Sequence, residues 1–198
     1  MLLGRVVKSN SHVDYVVQIF APGEVPEPPR PEDYAFGSFV RIAVEEDGPD
    51  QLIGVIYDTL LLNPTYGTLG PRLSGEPLRS TFSPDYLPET STVVGVAIVG
   101  WKRGEGPEAR YRQGVPPVAC RVGAEAALLE KGEFEAFHRS ERGPQVAYLP
   151  RLAAMGNPAM PELLNGLLTQ LMGVFPEGAG TLAVLRSNLD WSSRLARR

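Results

Sequence analysis

The sequence contains few of the residues from which most enzyme and metal sites are built. In 198 residues there are one cysteine, Cys120, and two histidines, His12 and His138. A single cysteine excludes an intramolecular disulfide and indicates a reducing, cytoplasmic setting. Because the three residues lie far apart in sequence, neither a Cys/His zinc site nor a Cys/His nucleophile is expected. We expect His12 to be a surface turn residue and His138 to be a helix-capping or surface residue.

Phosphate-binding loops and membrane segments are also missing. No Gly-Lys pair occurs, which excludes a P-loop, and the glycines at 67, 70 and 75 do not have the spacing of a dinucleotide fingerprint. No run of about 18 apolar residues exists to span a membrane. The opening "MLLGRVVKSN" has no apolar core of a signal peptide. We therefore expect a cytoplasmic protein that has no cofactor and no ATPase activity of its own.

The charge balance argues against one further class of protein. The formal net charge is −4, whereas a protein that coats nucleic acid needs a basic face to neutralise phosphates. A local basic patch remains compatible with this total.

What the first 122 residues do contain is strand patterning. Short apolar runs alternate with polar residues and are separated by turn-forming segments, as in "GSFVRIAVEEDGPDQLIGVIYDT". Residues 92–101 are apolar on both faces, which indicates a buried strand. Antiparallel neighbours joined by short loops are typical of a meander or a small barrel. Residues 1–122 are therefore predicted to form a closed or nearly closed antiparallel β-barrel, with a long irregular insertion at 63–90.

After residue 122 the pattern changes to that of helices. The segment "AEAALLEKGEFEAFHR" is rich in helix formers, and "PELLNGLLTQLM" places leucines on one stripe of a second helix. The last 18 residues suggest another helix with a basic end. The fold class is thus mainly β with a helix-rich C-terminal region, residues 123–198, an α+β arrangement.

Candidate binding residues lie in the insertion and at the C-terminus. The insertion gathers Tyr66, Arg72 and Tyr86, and the C-terminal segment holds Trp191 and Arg194. Tyrosine, tryptophan and arginine are the residues enriched at interface hot spots, and aromatic residues interleaved with basic ones also suit single-stranded nucleic acid. These five residues are the predicted partner-binding set.

Two carboxylates are the candidates for chemistry. Asp58 follows an apolar strand and Asp85 lies within the insertion, although a capping or turn role explains each of them more simply. No nucleophile matched to a base is visible. The sequence accordingly predicts no catalytic residue and no metal ligand.

The opening of the chain resembles the HAS barrel, the small β-barrel that begins HerA-type DNA translocases and the catalytic subunits of rotary ATP synthases. The positions that carry the resemblance are Gly4, Val6, Gly37, Phe39, Val40, Gly54 and Val55. The likeness is good over about 60 residues and looser to about residue 120. In HerA-type proteins a P-loop ATPase follows the barrel, and this sequence has none.

The resemblance implies a HAS-type barrel without the ATPase domain that follows it in HerA-type proteins. We expect a non-enzymatic accessory protein of a HerA–NurA-type machine that processes DNA ends in repair or recombination. Its partners would be the ring ATPase, the nuclease or both, with nucleic acid contacted through the complex. Two alternatives stay open, namely a barrel that binds single-stranded nucleic acid and a metal-dependent hydrolase or nuclease fragment using Asp58 and Asp85.

Overall fold

The computed structural model describes residues 1–46, 48–63, 91–141 and 143–196, with side chains up to residue 189. Seven strands form one antiparallel sheet: β1 Leu2–Ser11, β2 Asp14–Ile19, β3 Phe39–Ala43, β4 Gln51–Leu62, β5 Ser91–Arg103, β6 Arg110–Gln113 and β7 Glu125–Leu128. A separate two-stranded ribbon consists of β8 Arg139–Ser140 and β9 Gly143–Pro144.

Six of these strands close into a barrel. Around it the order is β2-β1-β7-β3-β4-β5, and β2 pairs directly with β5, which completes the ring. β6 pairs with β5 through residues 100–103, beyond the point where β2 ends on the same edge. Closure leaves the barrel strands with few unpaired edges. The predicted fold class, an antiparallel barrel followed by helices, is therefore confirmed.

The barrel is filled by side chains from all six strands. The buried interior set is Leu3, Val6, Tyr15, Val17, Ile19, Val40, Ile42, Leu52, Ile56, Val94, Val96, Ile98, Ala124 and Ala126. Small barrels have an interior just wide enough for their own side chains. The sequence pattern predicts eight wall residues, Val6, Val16, Val40, Ile42, Val55, Val94, Val96 and Ile98. Six of them belong to this set, whereas Val16 is only half-buried and Val55 faces outward.

A layer of helices covers one side of the barrel. In the described part of the chain these are α1 Lys131–His138, α2 Leu149–Ala153, α3 Met160–Val174 and α4 Ala179–Ala196. Leucines of α3, including Leu164, Leu167, Leu168 and Leu171, pack with the outward side chains of β3, β4 and β5 in a second core. This confirms the leucine stripe. None of the described helices is both long enough and apolar enough to cross a bilayer.

The segment after residue 122 differs from its sequence prediction. Residues 125–128 form β7, which sits between β1 and β3 in the barrel, and the helix begins only at Lys131. Helix propensity is a weak preference that tertiary pairing overrides. Ala126 is buried in the barrel interior. The pattern at residues 144–155 suggests one more strand and a turn, but residues 149–153 form the short helix α2.

Gly100 lies where the barrel and the helical layer approach most closely. A Cβ atom there would lie 2.2 Å from the carbonyl oxygen of Arg112 and 2.6 Å from the ring of Phe137. Both neighbours are fixed, the first in the backbone of β6 and the second in the buried core. No side chain fits at this position without moving the sheet or α1.

We expect Gly100→Ala to lower the free energy of unfolding by about 2 kcal/mol, because overpacking a close contact typically costs 1–3 kcal/mol. Gly132→Ala is the matched control, since a Cβ there meets no atom within 4 Å. It should leave stability unchanged or raise it by up to about 1 kcal/mol. Urea unfolding followed by circular dichroism measures both, and equal midpoints for the two variants would contradict the packing described.

Candidate functional site

The filled barrel leaves ligand binding to the outer surface. Two features of that surface stand out, and they lie at different ends of the β4–β5 hairpin. One is an exposed apolar arm at the end of β4, and the other is a polar groove beside β6.

The leucine arm, residues Leu60–Leu62, extends β4 past the barrel. Relative exposures are 49% for Leu60, 80% for Leu61 and 48% for Leu62. On one edge the arm pairs with residues 91–93 of β5. On its other edge the pairing with β3 ends at Val55, followed by two further bonds, from Ile56 N–H to the Ser38 carbonyl and from Gly37 N–H to the Ile56 carbonyl. Within the described ranges, no strand covers this edge of the arm.

Edges of this kind are usually protected. Natural sheets place lysine, proline or a bulge on an exposed edge to prevent pairing with another chain. Residues 59–62 read Thr-Leu-Leu-Leu and contain neither lysine nor proline, and the irregularity in β4 lies before them, between Ile56 and Asp58. Exposed apolar surface at an open edge marks a place where another molecule binds.

The β6 groove is a polar channel of about 830 Å³. It runs along β6 and is bordered by α1, by Arg139 and Gln145, and by Trp101 of β5. Strand alternation leaves Arg110 and Arg112 exposed. The side chain of Gln113 closes one end of the groove, because it donates to the carbonyls of Phe137 and Gln145 and accepts from Ala147 N–H.

One carboxylate lies in the β6 groove, and it is matched by two cations. Glu133 Oε1 lies 3.2 Å from Lys102 Nζ, and Oε2 lies 3.7 Å from Arg41 Nε. Lys102 is only 9% exposed, so this lysine depends on Glu133 for compensation of its charge. The cluster of three carries a net charge of about +1 at neutral pH.

The ring of Tyr111 lies above this cluster on the α1 side of β6. It makes an edge contact with Phe137, with centroids 6.4 Å apart. Burial, together with the negative charge of Glu133, raises the pKa of the Tyr111 phenol. The phenol is therefore neutral at physiological pH and adds no negative charge to the groove.

A buried histidine lies beneath the groove. His138 is fully buried among Phe39, Phe134, Phe137 and Tyr148. The expectation of a capping or surface role for His138 is therefore wrong. The residue does end α1, but the aromatic core closes over it.

Hydrogen bonds fix the tautomer of His138. Nδ1–H donates to the Phe134 carbonyl over 2.8 Å, and Nε2 accepts from the Tyr148 hydroxyl over 2.9 Å. Burial lowers the pKa of His138 to about 4, because a charged ring would lose its hydration. Both ring nitrogens are satisfied in the neutral form, which makes this histidine a structural element of the core.

The predicted partner-binding residues are not brought together by the described structure. Tyr66, Arg72 and Tyr86 lie outside the described residues. The backbone of Trp191 and Arg194 belongs to α4, but their side chains are outside the described part. These assignments stay predictions.

The two candidate carboxylates, Asp58 and Asp85, are not brought together by the described structure either. Asp58 is exposed, and its Oδ1 accepts from the backbone N–H of Thr59. Asp85 lies outside the described residues. In the portions of the chain that are described, no group of three His, Cys, Asp or Glu side chains is placed to hold a metal ion. His12 occupies the β1–β2 turn as expected, 2.8 Å from the Pro116 carbonyl.

Both outer surfaces escaped the sequence analysis. Residues 60–62 continue a predicted strand, but an apolar run does not show whether it is buried or exposed. "RYRQ" at 110–113 lies in a charged, Gly/Pro-rich stretch that is typical of a loop. Its alternation of arginine with tyrosine and glutamine was the available signal of a strand with one basic face.

Comparison with protein families gives one match. The model of a domain of unknown function, DUF8166, covers residues 1–198. The chain belongs to the DUF8166 family. A search of curated proteins found no match.

The burial of His138 in this DUF8166 protein predicts a pH dependence. The unfolded chain binds a proton near pH 6.5 and the folded chain only near pH 4, so stability is lost as pH falls between these values. The contribution reaches about 1.4 kcal/mol per pH unit. Urea unfolding at pH 7, 6 and 5 measures it.

The control separates His138 from the carboxylates, which also titrate in acid. His138→Phe should flatten the dependence between pH 7 and 5, whereas His12→Asn should retain it. If both variants followed the wild-type pH profile, the neutral buried histidine would be excluded.

Proposed function

We propose that this protein is a non-enzymatic, cytoplasmic interaction module whose leucine arm docks on a protein partner. The observation that carries the proposal is the arm itself: three consecutive leucines, each about half or more exposed, on a strand edge that none of the described strands pairs with. Leucines so placed favour association, because a partner strand gains both backbone hydrogen bonds and apolar contact.

The geometry of the barrel favours binding over catalysis. Its interior is occupied by apolar side chains, which is the arrangement of a scaffold. Small pockets that carry out chemistry combine an apolar cavity with converging titratable groups. Two of the titratable groups with clearly shifted pKa values, His138 and Tyr148, are held in a hydrogen bond to each other in the core rather than in an open pocket.

The resemblance of the opening strands to the HAS barrel suggests the class of partner. A barrel of that type would dock on a HerA–NurA-type machine for DNA end processing, contacting the ring ATPase, the nuclease or both. Nucleic acid would then be reached through the complex. The support for this partner is the sequence likeness at the positions from Gly4 to Val55, and the arm supplies a surface for it.

The alternatives from the sequence gain less support. A metal-dependent hydrolase needs carboxylates that converge, and Asp58 is bonded to its own neighbour in the chain. Single-stranded nucleic acid binding has a separate basis in the β6 groove and is argued below.

We expect Leu61→Asp to weaken binding to a purified HerA-type ATPase or NurA-type nuclease from the same cell by about tenfold or more, as for a central hot-spot residue. The substitution places a charge in the contact without removing any core side chain. Isothermal titration calorimetry with each partner, and with their complex, provides the measurement.

Val184→Asp is the matched control, because Val184 is also an exposed apolar residue (61%) but lies on α4. It should bind like the wild type. Failure of the wild-type protein to bind either partner would overturn the assignment of the partner. Equal binding by the two variants would instead overturn the role of the arm.

A further inference from the structure

The β6 groove has the composition of a site for a polyanion. We propose that it binds a short stretch of single-stranded nucleic acid, with phosphates held by Arg110, Arg112 and Arg139 and bases placed against Trp101 and Tyr111. This inference is independent of the leucine arm, which lies at the other end of the β4–β5 hairpin.

The three arginines are available to a ligand. All three are exposed, and none takes part in the ion pairs formed among the described residues. The guanidinium of Arg139 lies over the ring of Phe175 at 5.3 Å, which orders one face of the side chain. Planar guanidinium groups match phosphate oxygens in pairs, which makes arginine the usual phosphate-binding residue.

The charge of the groove is positive although the protein as a whole carries −4. Glu133, the acidic residue within the lining, is offset by Lys102 and Arg41. The three free arginines therefore add to a cluster that is already slightly positive. Glu105 and Glu108, in the turn that precedes β6, are as exposed as the arginines, so that five cations face three carboxylates in and around the groove. The groove is therefore a local basic patch, which is compatible with the negative net charge of the whole protein.

Two aromatic residues complete the site. Trp101 and Tyr111 both line the groove and are both partly exposed. Their positions on adjacent strands alternate, so the two rings flank β6 from opposite faces. Sequence-tolerant single-strand binders combine a basic groove with aromatic rings on which bases stack.

An extended acidic peptide is the competing ligand, because β6 is an edge strand. The structure favours nucleic acid over this alternative. β6 has four residues, and Gln113 and the segment at 145–147 already occupy one end of its edge. Too little backbone remains for strand addition, whereas phosphates and bases require side chains only.

The test is binding of a fluorescein-labelled oligothymidylate measured by anisotropy at several salt concentrations. Wild-type protein should bind at low salt, and its affinity should fall as salt rises. The variant Arg110→Gln/Arg112→Gln/Arg139→Gln should lose affinity, and its log–log salt slope should be smaller by about 2, since each phosphate contact contributes about 0.7. The corresponding triple lysine variant should retain most of the slope.

Controls assign the binding to this groove. Arg121→Gln removes an exposed arginine elsewhere, one paired with Glu46, and should bind like the wild type. In a Trp191→Phe background the remaining tryptophan, Trp101, should be quenched by the oligonucleotide and not by poly-glutamate.

Three results would overturn the proposal: no binding by the wild-type protein at low salt, equal binding by the triple glutamine variant, or competition by poly-glutamate as effective as by oligothymidylate. Circular dichroism melting of each variant identifies any loss of binding that arises from unfolding.

Discussion

The structure depends on two strands that are buried on both faces. Along β4 and β5, one set of side chains, including Ile56 and Val96, fills the barrel, while the alternate set, including Val55 and Val99, packs beneath the helices. The wall formed by β4 and β5 thus contributes side chains to both the barrel core and the core beneath the helices. Since burial of apolar surface is the main stabilising contribution to folding, this shared wall couples the barrel to the helical layer. Gly100 and the aromatic cluster around His138 lie where the two meet.

The two proposed binding surfaces lie where the β4–β5 wall is no longer covered by neighbouring elements. Past Ile56, β4 continues without β3 or the helices, and the same apolar residues that would be buried elsewhere become the leucine arm. At the opposite end of these two strands, β5 extends beyond β2 and pairs with β6. The exposed side chains of β6 include Arg110 and Arg112. The apolar edge of the leucine arm and the basic β6 groove thus lie at separate ends of the paired strands β4 and β5.

Much of the fold could be predicted from the sequence because its patterns are local. Period-two alternation identified most of the barrel strands, and the leucine stripe identified α3. The features that the sequence did not predict are determined by tertiary contacts. The composition of residues 125–128 favours a helix, but pairing with β1 and β3 makes them a strand. The position of His138 at the end of a helix favours a capping role, but four aromatic rings bury it. Hydrophobicity alone also did not reveal which face of β4 points inward, because both are apolar.

Hydrogen exchange followed by mass spectrometry tests the two-sided wall and its open end together. We predict that amides of residues 52–56 and 93–99 exchange only through global unfolding, with the same free energy as those of α3, whereas those amides of residues 59–62 that do not bond to β5 exchange much faster. Slow exchange along the whole of β4, equal at 59–62 and 52–56, would mean that the leucine arm is covered. That result would contradict an open docking edge.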